Sequence, residues 1–419
     1  MAAGYLEILR ARHAARLLTG TLVGRLPNAT AAIAIVLFVR AQGGTYSLAG
    51  ALAAVYGVAN AVGQPLLGRL VDAHGQPRVQ LPAALASALA MAAFAFVGTD
   101  PLPLAYVAVS AAGLFTPPLE GGLRALWPAV LRREDQVHTA YAMDAVAQEV
   151  MFTVGPLLVT LCVSVWSEQG ALLVLNVVGV LGALSVVVSP PSRAWRSAPR
   201  EAHWLGALRS PGLLALLGAF LFVGVALGSI TVASVPYADD HGGDAVYGWL
   251  MAALGLGALA GGLAYGARRW AGTPERRLRG LVMLLAVCYL PLMLMPGAVA
   301  MVALTALAGV FLAPALACAF VIVDRHAPRG TVTEAFSWLV TTFTVGASVG
   351  TGLAGPVVEA GGALWGFAVP AFAGAVSVVV LLATGRVMAV PAGSGVVATS
   401  SENDPNRAAE PRFSSGDRA

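Results

Sequence analysis

The sequence contains no lysine: all 25 basic residues are arginine, and charged residues make up only 11% of the 419-residue chain. Soluble domains carry about 25% charged residues, so this composition excludes an ordinary soluble protein. The phosphate-binding loop of ATP-driven pumps requires a lysine. Primary, ATP-driven transport by this chain is therefore excluded.

Cysteine and histidine are also scarce. Cys162, Cys288 and Cys318 lie within apolar stretches, whereas the six histidines lie in loops or at the ends of such stretches. A disulfide framework or a zinc site needs clustered, accessible ligands. We therefore predict no metal site and no histidine relay inside a membrane.

Long apolar stretches dominate the sequence instead, since 58% of its residues are hydrophobic. A helix needs about 20 residues to cross a bilayer. Twelve stretches are suitable: 17–39, 46–67, 80–98, 103–123, 140–163, 170–189, 212–235, 246–266, 279–296, 298–322, 333–356 and 363–385. The sequence thus predicts an all-α membrane protein with twelve transmembrane helices.

The arginines are distributed unevenly between the loops. Most lie in the N-terminus, the even-numbered loops and the tail, whereas the odd-numbered loops contain only Arg40. Cytoplasmic loops concentrate positive charge, so both termini are predicted to be cytoplasmic. Because the basic residues are spread over loops, we expect them to contact the lipid bilayer and not nucleic acid. The Ala-, Gly-, Val- and Arg-rich composition is typical of a GC-rich bacterial genome, and we therefore expect the protein to lie in the bacterial plasma membrane.

An internal repeat divides the chain into halves. Residues 113–118 (GLFTPP) in span four match 309–314 (GVFLAP) in span ten, and FTVG at 152–155 in span five recurs at 343–346 in span eleven. Matches six spans apart predict two parallel six-helix bundles. Spans three, six, nine and twelve contain no acidic or basic residue in their interiors, so we expect each third helix to face lipid.

The predicted organisation follows from these boundaries. It comprises a cytoplasmic N-terminus (1–16), an N-terminal six-helix bundle (17–189), a cytoplasmic linker (190–211), a C-terminal six-helix bundle (212–387) and a disordered cytoplasmic tail (388–419). The tail is rich in Ser, Asn, Asp, Pro and Arg and has no apolar face to bury.

Residues 68–78 (GRLVDAHGQPR) join spans two and three. This segment resembles the loop motif of the major facilitator superfamily, GxLaDrxGxrxx, through Gly68, Asp72, Gly75 and Arg78. Gly68 allows close helix approach, Asp72 suits a neighbouring helix N-terminus, and Gly75 permits a tight turn. The resemblance covers residues 17–385. It implies two halves that rock around a midplane cavity, with Asp72 meeting the start of span eleven as part of a gate.

Span five contains Gly155-Pro156, which resembles the core of the antiporter motif of drug exporters, although Leu157, Leu158 and Val159 replace the further glycines of that motif. The pair is either part of such a motif or a simple packing kink. In the first case, Gly257-xxx-Gly261 of span eight offers a small surface to pack against it. The overall likeness is to drug/proton antiporters of actinobacterial type.

Arg25 in span one and Glu149 in span five lie at matching depths, about 12–14 Å from the cytoplasmic side. An isolated charge there costs at least about 2.5–3.5 kcal/mol, so pairing is expected. The pair is either a proton-coupling site or a permanent structural ion pair.

Three further acids are candidates for coupling. Glu120 and Arg124 are one turn apart and are expected to form a surface pair. Asp144 and Glu334 lie near the predicted starts of spans five and eleven, where a carboxylate favours the helix N-terminus. A transport role remains the alternative for each acid.

Polar side chains inside the spans are candidates for lining the cavity: Asn28, Ser229, Thr231, Tyr237, Glu334, Trp338 and Thr341. Hydroxyls that bond back to their own helix are the alternative. Residues 346–350 (GASVG) match a serine-hydrolase pattern, but the pattern requires a strand-turn-helix context, so no enzyme is expected.

The sequence therefore predicts a secondary transporter that needs no cofactor beyond a proton gradient. Our first interpretation is proton-coupled efflux of a small amphipathic organic molecule by a monomer. Import of a small metabolite is the alternative, and a non-transporting receptor or scaffold is a third.

Overall fold

The computed structural model describes residues 2–131, 133–199, 204–268, 270 and 272–389, except the side chains of residues 2, 3, 152 and 153. Its described part is almost entirely helical and contains no strand. The predicted disorder of residues 390–419 lies outside the described residues. The chain enters this fold through a short helix, Ala2–Arg10, before the first membrane crossing.

Ten helices in the described residues are long and apolar enough to cross a membrane, and a bent helix, Glu134–Val165, adds one more crossing. The longest of the ten, Val332–Ala383, is interrupted at Gly362 (φ 74°), which divides it into two crossings. The twelve crossings, α1 to α12, are Ala14–Ala41, Tyr46–His74, Gln76–Val97, Leu102–Val130, Glu134–Val165, Glu168–Val187, Pro211–His241, Asp244–Gly266, Pro274–Leu294, Ala298–His326, 332–361 and 363–383. The predicted twelve-helix fold is confirmed.

Several helices extend beyond the predicted spans, mostly at one end of the bundle, whereas α7 continues to His241 at the opposite end. Helix α2 continues to His74, α5 begins at Glu134, and α10 continues to His326. Hydropathy identifies only the part of a helix that crosses hydrocarbon, whereas backbone hydrogen bonds carry the helix on into the polar region. We call the side of the bundle at which α1 begins and α12 ends, and which carries the arginine-containing loops, the Arg-rich end. The opposite side is the short-loop end.

Helices α4 and α10 are broken at corresponding positions. Helix α4 is interrupted between Leu114 and Leu119, and α10 is interrupted at Phe311. A Cβ atom on Gly113 would collide with the Tyr56 carbonyl of α2, and one on Gly309 with the Leu254 carbonyl of α8. Close packing of α4 on α2 thus recurs as α10 on α8.

The other repeated sequence, FTVG, also occupies equivalent sites. Gly155 of α5 packs against Ala29 and Thr30 of α1, and Gly346 of α11 packs against Leu221 of α7. Both repeats therefore place a glycine at the same helix pair in each half. The two six-helix bundles are pseudo-symmetric, as the repeat predicts.

The glycines of α8 do not pack as predicted. Gly257 lies against Ala306 and Gly261 against Val310, both on α10. Helix α5 instead meets α8 nearer the Arg-rich end, where Gly262 contacts Val146. The small surface of α8 faces its own half because α8 and α10 are neighbours within it, so the predicted contact with Gly155-Pro156 is wrong. Helix α5 nevertheless bends by 41° just before that pair.

Large apolar side chains on α3, α6, α9 and α12 are exposed, as expected for lipid-facing helices. Examples from α3, α6, α9 and α12 are Leu89, Phe96, Val177, Leu181, Met283, Val287, Phe372 and Val379.

The linker between the halves, 190–211, contains a short helix, Pro190–Ala194, and one 3-10 turn, Gly206–Arg209. Its residues 200–203 lie outside the described part. After α12, a final turn, Gly385–Met388, places Met388 in the core. The C-terminal bundle therefore extends one residue past its predicted end at 387.

Replacing Gly346 by alanine should destabilise the α7–α11 contact, because the added Cβ would collide with the Leu221 carbonyl oxygen. Overpacking of this kind costs about 1–3 kcal/mol. Gly352→Ala is the matched control on the same helix, since nothing lies within 4 Å of a Cβ there. Both variants gain similar helix propensity, so their difference in thermal unfolding in detergent isolates packing. Equal unfolding temperatures would contradict this account of the repeat.

Candidate functional site

Four ionised side chains form a closed ring inside the N-terminal half. Arg25 comes from α1, Glu120 and Arg124 from α4, and Asp144 from α5. Each carboxylate bridges both arginines, so the ring contains two positive and two negative charges. The opposite charges cancel where an isolated charge would be costly.

Two short and two longer contacts hold the ring together. Arg25 Nη2 lies 2.6 Å from Glu120 Oε1, and Arg25 Nη1 lies 3.4 Å from Asp144 Oδ1. Arg124 Nε donates to Asp144 Oδ2 at 2.6 Å, and its Nη2 lies 3.4 Å from Glu120 Oε2. Arg124 Nη2 also donates to Gln148 Oε1 at 3.2 Å. Charge-assisted bonds of this kind are the strong class of protein hydrogen bonds.

The C-terminal half covers one side of this ring. The guanidinium carbon of Arg124 lies 3.7 Å from the centre of the Phe320 ring of α10, and Phe336 of α11 is 5.9 Å away. Tyr141 of α5 packs edge-on against Phe320, with ring centres 6.2 Å apart. A cation over an aromatic face is attracted by the ring quadrupole, so this stack connects the two halves.

The ion pairs of Arg25 are not made with its predicted partner, Glu149. Five residues separate Asp144 from Glu149, which turns the side chain by roughly 140° around the helix. Matching depth is therefore not enough to identify a partner, because Asp144 is on the side of α5 that faces Arg25. Glu149 is half-buried.

Two other predicted placements are wrong. Asp144 is not in the first turn of its helix, because α5 begins at Glu134, and its side chain is fully buried. Glu120 and Arg124 are one turn apart as predicted, but they are not on the surface: their side chains are 13% and 0% exposed. The sequence alone does not reveal that α1 and α5 close over this face of α4.

A cavity of about 280 Å³ lies beside the ring. Arg25, Glu120 and Gln148 form its floor, and α2 and α11 supply its walls. Helix α2 runs from the short-loop end to the Arg-rich end, and it lines the cavity from Ala53 to Gln64. The ring thus forms the deep end of a cavity that extends towards the short-loop end.

One wall of the cavity is a chain of neutral hydrogen-bonding groups. Asn60 Nδ2 donates to Asn28 Oδ1 at 3.0 Å, and Gln64 Nε2 donates to Asn60 Oδ1 at 3.3 Å and to the Thr116 carbonyl at 3.1 Å. Tyr56 shares a hydrogen bond of 3.2 Å with the Thr116 hydroxyl. Of these residues, only Asn28 is among the predicted cavity residues.

Sequence spacing could have identified the missed residues. Tyr56, Asn60 and Gln64 follow one another at intervals of four, which places three polar side chains on one face of α2. All three line the cavity. A polar stripe on an otherwise apolar helix is the signal of an interior, polar-lined face.

The remaining predicted cavity residues differ in whether they line the cavity. Thr341 lines the cavity, and its hydroxyl approaches the Ala61 carbonyl at 3.4 Å. Ser229 and Thr231 donate to carbonyls of their own helix, at 2.9 Å and 3.2 Å. Tyr237 donates to the Pro296 carbonyl and is buried. Back-bonding, the alternative reading, accounts for the two hydroxyls of α7.

Trp338 and Glu334 are not among the residues that line this cavity. Trp338 packs partly buried against the core of the protein. Glu334 is buried in the first turn of α11, where its carboxylate lies against Gly206 of the linker. Glu334 is thus part of the junction between the halves.

The motif loop meets the start of α11, as the resemblance implies. Asp72 accepts hydrogen bonds from the backbone N–H groups of Thr333 at 3.0 Å and Glu334 at 2.9 Å. These donors belong to the first turn of a helix, where they have no partner within the helix. Asp72 therefore caps a helix of the other half across the junction.

Glycine makes this junction possible. A Cβ on Gly68 would lie 3.1 Å from the Glu334 Cα and 2.8 Å from the Ser337 hydroxyl. Gly75 has φ 89°, a conformation that favours glycine, and it turns the chain from α2 into α3. Arg78, the last residue of the motif, is exposed.

Replacing Asp144 by asparagine should strongly destabilise the protein, because it leaves two buried arginines with one carboxylate. Breaking a buried ion pair by removing one partner costs about 3–5 kcal/mol. Glu134→Gln on the same helix is the control: its carboxylate is 88% exposed and lies 3.8 Å from His138, so its loss should have little effect. Thermal unfolding of both variants in detergent measures the difference. Similar losses would show that the ring does not hold α1, α4 and α5 together.

Comparison with known proteins is consistent with this architecture. Residues 17–303 match the family model of the Major Facilitator Superfamily. No curated protein sequence matches the chain.

Several solved structures share the fold. A bacterial homologue of the iron transporter ferroportin, in an outward-facing state, has a TM-score of 0.70 at 14% identity, covering 89% of this chain and 99% of that one. A variant of the E. coli fucose:proton symporter FucP has a TM-score of 0.67 at 16% identity, covering 90% and 98%. The human organic anion transporter MFSD10 (TETRAN) has a TM-score of 0.64 at 18% identity, covering 87% and 97%.

At these identities the structures establish the fold, whereas the sequence match extends over more than half of the chain and establishes the family. The chain belongs to the Major Facilitator Superfamily and is a multi-pass secondary transporter of the membrane.

Proposed function

We propose that this protein exports a small amphipathic organic molecule in exchange for protons. The observation that carries the proposal is the charged ring at the floor of the cavity, where Glu120 is accessible and Asp144 is sealed. A titratable carboxylate beside a ligand cavity is the arrangement that coupled transport requires, because one site can then respond to both proton and cargo.

The cavity supports a small cargo with apolar and polar parts. Its volume of about 280 Å³ is at the lower limit of small-molecule pockets. The lining combines apolar groups, such as Ala32, Met151 and Val340, with the amides of Asn28 and Asn60. Such a surface suits a molecule that buries an apolar body and forms a few hydrogen bonds.

Protonation of Glu120 would change the charge of the ring from neutral to net positive. The two arginines would then have only Asp144 as a charged partner, and the floor of the cavity would repel a cationic cargo. Proton and cationic cargo would therefore exclude one another, which is the requirement for exchange. The resemblance of Gly155-Pro156 to an antiporter motif supports the same direction.

Two alternative functions would use these charged groups differently. An importer of a small metabolite would use the same cavity with proton and cargo moving together. A non-transporting receptor or scaffold has no need of ionised groups buried beside a cavity, so the ring favours transport over that role.

We further propose that the Arg-rich end is cytoplasmic and that the protein lies in the bacterial plasma membrane as a monomer. The distribution of arginine supports this orientation. The capping of α11 by Asp72 would then close the cytoplasmic side, while the cavity extends towards the outside. Release of that cap would be the step that opens the gate, with Gly68 and Gly75 allowing the close approach.

The orientation can be tested with reporters fused after Ala419. A fluorescent protein that matures in the cytoplasm should be active there, and alkaline phosphatase, which matures only outside, should be inactive. A second phosphatase fusion in the loop between α1 and α2 at Gly43 is the positive control. Phosphatase activity from the C-terminal fusion would contradict the proposed orientation.

Coupling can be tested in proteoliposomes with ethidium, an amphipathic cation, as the probe. Glu120→Gln should abolish ethidium flux driven by a pH gradient, because the ring can no longer exchange a proton, and it should also slow flux down the gradient of ethidium itself, because the ring stays net positive. Glu359→Gln, at an exposed position near the far end of α11, is the matched control and should retain both fluxes.

The outcomes separate the candidate proton sites. Loss of pH-driven flux in Glu149→Gln, with full activity in Glu120→Gln, would transfer the coupling role to Glu149. Ethidium movement with the proton gradient, instead of against it, would favour import. Flux that is independent of the pH gradient in the unmodified protein would refute proton coupling of this probe.

A further inference from the structure

A second cavity, separate from the one beside the ring, lies between the two halves at the Arg-rich end. Its volume is about 380 Å³. Helix Ala2–Arg10 and the start of α5 form one side, and the end of α8 with the start of α9 forms the other. It lies at the level of the loops, well away from the cavity beside Arg25.

The N-terminal helix connects both sides of this cavity. The Tyr5 hydroxyl donates to the Leu263 carbonyl of α8 at 2.9 Å, across the junction of the halves. Glu7 accepts a hydrogen bond from Gln136 of α5 at 2.9 Å. A Cβ on Gly266 would lie closer than van der Waals contact to the Tyr5 hydroxyl, so the lack of a side chain at Gly266 leaves room for this contact.

The charges of the cavity are unequally satisfied. Arg133 pairs with Asp135 and lies 3.6 Å from Glu7, so both acids of the lining lie on the side formed by helix Ala2–Arg10 and α5. Arg268 and Arg277 have no carboxylate partner among the described residues. The cavity therefore has an excess of positive charge on its α8–α9 side.

Aromatic rings hold these two arginines in place. The Trp270 ring stacks on Tyr265 with centres 5.1 Å apart, and the guanidinium carbons of Arg268 and Arg277 lie 5.4 Å and 5.8 Å from the Trp270 ring. Arg277 Nη1 donates to the Tyr265 hydroxyl at 3.0 Å. The buried Nε of Arg277 has no acceptor within the described part of the chain.

We propose that this cavity binds a phosphate ester through Arg268 and Arg277, with Arg133 as the cationic contact on the opposite wall, and that the bound group holds the halves together at the Arg-rich end. Paired guanidinium groups match the oxygens of phosphate. The phosphate comes either from the headgroup of an anionic phospholipid or from a free phosphate compound.

The effect on conformation follows from linkage. Both halves contribute walls, so the complete site exists only while the Arg-rich end is closed. A ligand that binds one state better than the other shifts the equilibrium towards that state. An occupied site therefore favours closure at this end and slows its opening.

The test measures the distance across the Arg-rich end in the full-length protein. Spin labels on His74→Cys and Arg329→Cys, both exposed and in different halves, report closure once the three native cysteines are replaced by serine. The labelled protein is placed in vesicles of phosphatidylcholine, with or without phosphatidylglycerol, and separately in detergent with or without inorganic phosphate. The readout does not depend on the transported substrate.

Phosphatidylglycerol should raise the ratio of closed to open protein roughly fivefold or more, and Arg268→Gln and Arg277→Gln should each remove most of that response. Arg276→Gln is the matched control, because it removes the same charge from the neighbouring exposed position. A response to inorganic phosphate as well identifies free phosphate as a sufficient ligand, whereas a response to the lipid alone identifies the headgroup.

Three results would overturn the proposal. One is an equal response in the unmodified protein, Arg268→Gln and Arg277→Gln. Another is an equal loss in Arg276→Gln, which would indicate general attraction between charge and membrane. The third is no response to either probe. Arg268 is exposed, so Arg268→Gln keeps the test valid if Arg277→Gln fails to fold.

Discussion

The cancellation of four charges inside an apolar bundle is the constraint on which the N-terminal half depends. Each of these charges would be costly alone in hydrocarbon, by about 2.5–3.5 kcal/mol or more. Arg25, Glu120, Arg124 and Asp144 therefore fix how α1, α4 and α5 are rotated about their axes, because only one set of rotations closes the ring. That same rotation directs Asn28 and Gln148 into the cavity, so electrostatic pairing and the shape of the binding site have one cause.

Three polar or cationic contacts join the two halves at the Arg-rich end, beside apolar packing such as that of Tyr141 on Phe320. Asp72 caps the first turn of α11, Tyr5 reaches the α8 backbone, and Arg124 stacks on Phe320. None of these joins two apolar side chains. Polar and cationic contacts of this kind are directional, so a small displacement weakens them, whereas apolar packing tolerates sliding. Directional bonds of this kind suit a junction that separates and re-forms, because each bond is either fully made or absent.

The sequence predicted the fold from features that are one-dimensional: the length of apolar stretches, the distribution of arginine and the six-span repeat. It also predicted the contact of Asp72 with the start of α11, because this capping contact depends on a local sequence motif. It failed where the rotation of a helix decides the outcome, as at Glu149 and Asp144, since depth and charge are readable from the chain but the direction of a side chain between helices is not. The missed residues Tyr56, Asn60 and Gln64 show that polar periodicity within a span carries part of that information.

The aromatic rings that lie over Arg124 limit the access of water to its guanidinium group. Phe320 and Phe336 belong to the C-terminal half, while the cation they cover belongs to the N-terminal half. Any motion that separates the halves at the Arg-rich end removes these rings from the guanidinium and exposes it to solvent. The hydration of the charged ring is therefore tied to the position of the other half, and separation of the halves would change the dielectric environment of Glu120 and Asp144. A bundle of otherwise ordinary helices thus couples a mechanical displacement to the solvation of an ion.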